Sequence, residues 1–105
     1  MSDLLDQQRQ VERELCAALI EAIPEMWRAV TLTVDHSPGG LVLGIANPDG
    51  NRERIPISWE IEQSIEQLLD LYRKRGVLLQ RASYVLRHDG ESWKYEGTFE
   101  TKPQG

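Results

Sequence analysis

A chain of 105 residues is the size of one ordinary domain, long enough to bury a core without disulfide or metal staples. Its 40% apolar and 28% charged residues exclude wholesale disorder, and its single cysteine excludes an internal disulfide. A formal net charge of −5 lacks the basic footprint that non-specific nucleic-acid binding needs, and it would be repelled by an anionic lipid surface.

The N-terminus, MSDLLDQQRQ, has neither the basic start nor the apolar run of a signal peptide. No stretch approaches the ~18 apolar residues of a membrane span, so the expected location is cytoplasmic. Residues 3–23 read as a first helix. Leu4, Gln8, Val11, Leu15, Ala18, Leu19, Ala22 and Ile23 fall on one stripe, weakest at Gln8. Ser2 or Asp3 caps it, and Pro24 biases Ile23 out of the helical region and ends it.

From Trp27 to Asp35 the pattern alternates, with Val30, Leu32 and Val34 facing one way and Thr31, Thr33 and Asp35 the other. Ser37-Pro38-Gly39-Gly40 is turn chemistry, and Leu41 to Ala46 returns as the second strand of a hairpin. Asn47-Pro48-Asp49-Gly50 turns again. Arg52 to Ile57 then reads as a short third strand, placed at an edge because Pro56 has no N–H to give to a ladder.

Ser58 to Gly76 is the stretch the chain is organised around. Ile61, Ile65, Leu68, Leu69 and Tyr72 share one face of a 3.6-residue period. Ser58 is the N-cap. Glu60 and Glu62 sit at the positive end of the helix dipole, and Arg73, Lys74 and Arg75 at the negative end. Gly76 takes the left-handed position that follows. Val77 to Arg87 is a long strand, read with Leu78, Ala82, Tyr84 and Leu86 inward at the cost of an inward Gln80. After a turn at His88-Asp89-Gly90-Glu91, Ser92 to Thr101 alternates with Trp93, Tyr95, Gly97 and Phe99 inward. The tail 102–105 is expected to be loose.

The order helix, three strands, helix, two strands implies an α+β fold. Its antiparallel sheet has about five strands, with two helices packed on one face, and residues 1–105 form one domain.

Chemical signatures are sparse. Asp35/His36 and His88/Asp89 are the only histidine-bearing pairs. In this topology both turns fall at the same end of the sheet, which makes a small metal-dependent hydrolase built on them geometrically conceivable. Against this, neighbours on a strand point to opposite faces, no recognised metal spacing is present, and turns carry Asp for local reasons. Cys16 lies beside the apolar stripe with no histidine placed near it, which reads as a small packing residue rather than a nucleophile. No cofactor is implied and the chain is read as non-enzymatic.

The most suggestive surface is acidic. Glu62, Glu66 and Asp70, flanked by Glu60, recur every fourth residue along the central helix, where like charges cost a few tenths of a kcal/mol per pair. A solvated helix face explains them structurally; a docking surface for a basic protein explains them functionally.

An N-terminal helix runs into AIPEMWRAVTLTVD; GGLVLGI follows, then IPISWEIEQSIEQLLDLYRKRG, a strand and ESWKYEGTFET. This layout resembles the YezG-like group of bacterial antitoxin and immunity proteins. The resemblance implies a role in binding and neutralising a cognate toxin, often a nuclease, whose basic active site would suit the carboxylate stripe. The alternative is a homodimeric assembly subunit. The charges and proline of Arg52 to Ile57 argue against pairing through that edge.

Overall fold

A computed structural model describes residues 3–37, 39–49 and 55–103. Two helices, α1 (Asp3–Ala22) and α2 (Trp59–Lys74), and four strands, β1 (Ala29–Ser37), β2 (Gly40–Ala46), β3 (Val77–His88) and β4 (Trp93–Pro103), follow in the order α1-β1-β2-α2-β3-β4. The strands form one antiparallel sheet with spatial order β2-β1-β3-β4. After α2 the chain therefore re-enters the sheet beside β1.

Each element forms for a local reason. Ser58 caps α2, its hydroxyl accepting from the Ile61 N–H at 3.3 Å. At the other end the Gly76 N–H returns to the Arg73 carbonyl at 3.0 Å, with φ at 83°, a conformation that disfavours a Cβ. Ile61, Ile65 and Leu68 have no exposed surface and lie in one cluster with Leu15 and Leu19 of α1, Leu32 of β1 and Tyr84 of β3. The opposite sheet face carries Thr33, Asp35, Arg81 and Arg87, all exposed. Both helices thus cover the same face, as the alternation requires.

Three expectations need correction. The sheet has four strands among the described residues. Ile55–Ile57 is not a strand, and Arg52–Arg54 lies outside the described residues. Pro56 has no N–H to give to a ladder. The tail is ordered further than expected: Lys102 pairs with Leu78 and Pro103 with Val77.

The third correction concerns phase. Leu79, not Leu78, is the buried residue at the start of β3. The pairing steps from Leu79 opposite Thr101 to Arg81 opposite Glu100, so Gln80 is an extra residue. This β-bulge lets Leu79 and Ala82 both point inward and leaves Gln80 exposed.

Trp27 lies in the turn before β1, its N–H bonded to the Pro24 carbonyl at 3.0 Å and its ring buried. The indole Nε1 has no hydrogen-bond partner among the described residues.

Leu68→Ala should cost about 2–5 kcal/mol in urea denaturation, because its side chain is wholly enclosed. Trp27→Ala should cost about 3–5 kcal/mol. Trp27→Phe should cost markedly less, since it also removes a donor whose burial without a partner costs about 1–3 kcal/mol.

Candidate functional site

The apolar face of α2 fixes where its carboxylates point. At about 100° per residue, Glu60 and Glu62 are separated by roughly 160° around the axis. Glu60 therefore lies well off the line of Glu62, Glu66 and Asp70. Glu60 lines the seam with α1, beside Ala18, Glu21 and Ala22. Glu62 and Glu66 turn toward β2. With Leu41, Leu43 and Ile57 they line a cleft of about 310 Å³. Asp70 lies on the solvent side, 3.3 Å from Lys74 Nζ and 3.7 Å from Arg73 Nη1. Half-exposed pairs of this kind contribute roughly 0–1 kcal/mol, but they neutralise the site. Among the described residues no cation lies within 4.0 Å of Glu62 or Glu66.

The structure thus splits the expected acidic surface. Two carboxylates with no cation partner among the described residues sit over an apolar floor, one carboxylate is paired, and one faces α1. Periodicity along a single helix could not reveal that floor, because Leu41 and Leu43 come from a strand and Ile57 from the segment before the helix.

A larger hollow of about 400 Å³ lies beside the bulge, lined in part by His36, Gln80 and Lys102. Its Arg81 Nε stands 3.7 Å from Asp35 and 3.9 Å from Glu100, and Lys102 brings the lining to two cations against two carboxylates.

The two Asp/His pairs are far apart, contrary to the sequence expectation that they share one end of the sheet. His36 is at the end of β1, with Nδ1 3.3 Å from the Leu79 carbonyl. His88 is beside the start of β1, its N–H donating to the Arg28 carbonyl at 2.9 Å. Antiparallel pairing of β1 with β3 puts them about eight residues, or roughly 26 Å, apart along the strand. They cannot share an ion, and no group of three metal-ligating side chains occurs among the described residues.

Asp89 is used locally. It accepts from the Glu91 and Ser92 N–H groups at 2.9 and 3.0 Å and pairs with Lys94 at 3.1 Å. These backbone bonds, then the lysine, hold its carboxyl down at about 2. Cys16 is half-buried, and burial followed by the charge of Glu12 pushes its thiol up to about 11. That is the opposite of what a nucleophile needs.

Sequence reasoning missed a polar seam inside the fold. Glu12 is buried on the sheet-facing side of α1. It accepts from the Tyr84 hydroxyl at 2.8 Å and the Tyr95 hydroxyl at 3.5 Å. One turn earlier, Gln8 donates to the Tyr72 hydroxyl at 3.5 Å and accepts from Arg75 Nη1 at 2.8 Å. Arg75 also lies over the Tyr72 ring, 5.2 Å from its centre. Burial, then the bond to Glu12, pushes the Tyr84 phenol far above its ordinary range. The signal was present in the sequence: Gln8 and Glu12 are one turn apart, and Glu12 sits between Val11 and Leu15.

Compared with known proteins, the chain matches no family model and no curated protein. Among the described residues no helix is long and apolar enough to cross a membrane.

Tyr84→Phe should cost about 1–3 kcal/mol at neutral pH, because the buried Glu12 loses its short donor. The wild-type chain should also lose stability above pH ~10, where the unfolded state ionises Tyr84 and the folded state does not. Urea midpoints across that range should fall less steeply for Tyr84→Phe. Part of the fall should persist, since burial also raises Tyr72 and Tyr95.

Proposed function

We propose that this protein is a non-enzymatic immunity or antitoxin-type module that binds a basic protein toxin and blocks it by occlusion. The observation that supports this reading is the cleft between α2 and β2. There, Glu62 and Glu66 are exposed and without a cation among the described residues, directly beside Leu41, Leu43 and Ile57. A carboxylate that only solubilises a helix needs no apolar floor. A carboxylate at an interface gains from one, because excluding water strengthens its attraction for a Lys or Arg.

The resemblance to YezG-like proteins supplies the class of partner, and a nuclease active site, basic because it holds phosphates, supplies a suitable surface. The negative charge of the chain would steer the encounter, and the apolar floor would slow dissociation. Of the residues expected to bind, Glu62 and Glu66 line this cleft, Asp70 is already paired and lines the groove toward α1, and Glu60 lies across the helix.

The test is capture of the partner from the protein's own host, followed by association kinetics and a toxicity-rescue assay. Glu62→Lys with Glu66→Lys should slow association at low salt at least about tenfold and abolish rescue, with folding unchanged. Asp70→Lys should have a smaller effect. Equal association rates for the double variant and the wild type at low salt would reject the cleft as the interface. A captured partner with no toxic activity would reject the immunity role.

A further inference from the structure

The sheet ends on its other side at β4, whose outer edge is free among the described residues. Its backbone polarity can be assigned. His88 donates its N–H to Arg28, toward β1, whereas Asp89 donates to the Ser92 carbonyl, toward β4. Alternation then directs the N–H and C=O groups of Lys94, Glu96, Thr98 and Glu100 inward to β3. Those of Trp93, Tyr95, Gly97, Phe99 and Thr101 point to the open edge. The strand carries no bulge-forming residue of its own, since the extra residue of this pair, Gln80, lies on β3. Its only proline is the last residue, Pro103.

The side chains of β4 complement themselves. On the outer face the order is Lys94, Glu96, Thr98, Glu100, Lys102. On the helix-covered face Tyr95 remains 42% exposed and Phe99 is partly buried, both at the rim of an aromatic layer. The Tyr95 ring lies tilted at 6.3 Å and the Phe99 ring edge-on at 5.5 Å from the Tyr84 ring.

We propose that two copies of this chain pair antiparallel through β4, with Gly97 on the two-fold axis, to form one continuous eight-stranded sheet. In this register Lys94 faces Glu100 of the second copy and Tyr95 faces its Phe99, and each pair occurs twice. Cross-strand pairs of opposite charge and of aromatic rings are both stabilising. The free backbone groups of the odd-numbered residues meet one another, giving about ten ladder hydrogen bonds, an ordinary number for an interface.

The two registers shifted toward the C-terminus are worse. Centring on Thr98 sets Lys94 against Lys102 and Glu96 against Glu100. Centring on Phe99 brings Pro103, which has no N–H, into the ladder opposite Tyr95. An axis perpendicular to the sheet keeps all four helices on one face and makes the contact isologous and closed.

This contact lies at the sheet edge opposite the α2–β2 cleft and is independent of the function proposed for that cleft. Within one chain Lys94 also pairs with Asp89 at 3.1 Å and Glu100 with Arg81 at 3.9 Å. Lys94 and Glu100 are nevertheless 75% and 62% exposed, so both can reach a second copy.

The test is sedimentation velocity over about 1 µM to about 1 mM, because edge pairing belongs with the smaller, weaker interfaces. The mass should rise from 12.0 kDa toward twice that value. Lys94→Glu and Glu100→Lys, each placing like charges opposite one another, should weaken dimerisation at least about tenfold. The two substitutions in one chain should restore it, since the exchanged charges would again be opposite in sign across the interface. At about 1 µM, the dilute end of this range, far-UV circular dichroism and melting temperature should match the wild type in every case. A chain that stays monomeric at the highest concentration overturns the proposal. So does a dimer that Lys94→Glu leaves intact, or one that the exchanged pair does not recover.

Discussion

The enclosure of Ile61, Ile65 and Leu68 between α1 and the sheet is the constraint from which the surface of this protein follows. A helix with three wholly covered residues on one side has no rotational freedom left. Glu62 and Glu66 must then point toward β2, and Gln67 and Leu71 toward α1. The hydrophobic effect, which is non-directional, acquires direction here through the 3.6-residue repeat. Whatever meets the cleft meets carboxylates whose bearing is set by the core.

A second constraint operates on the other side of the core. Burying Gln8 and Glu12 on α1 requires partners, and these come from distant parts of the chain: Tyr72 and Arg75 at the end of α2, Tyr84 on β3 and Tyr95 on β4. An apolar seam of the same volume would tolerate sliding by one helical turn. A seam of paired polar groups does not, because any slip leaves a buried carboxylate without donors. Gln8 and Glu12 therefore fix the register of α1 on the sheet.

Much of the fold was legible in the sequence because it rests on local rules. Ser58, Gly76, Pro24 and the alternation of Val30, Leu32 and Val34 each act through the backbone within a few residues. The parts that were not legible depend on pairing between distant segments. Leu71 faces α1, and no pattern inside α2 distinguishes it from a surface leucine. The separation of His36 from His88 follows from β3 lying beside β1, which turn chemistry alone does not specify. The outward placement of Glu62 and Glu66 was legible, because charge and period act within one helix. The floor beneath them belongs to other elements, and the pairing of Asp70 engages side chains whose role in the sequence is to balance the helix dipole.

The bulge at Gln80 has a consequence for how the length of this chain can vary. Insertions and deletions are ordinarily confined to loops, because one residue more or less in a strand turns every later side chain over. Here the surplus residue is already absorbed, with Leu79 and Ala82 both inward on either side of it. A chain lacking Gln80 would run as an unbroken ladder with every neighbour still on its present face. A position inside a paired strand, near the start of β3, is thus a place where this protein can lose a residue and keep its core.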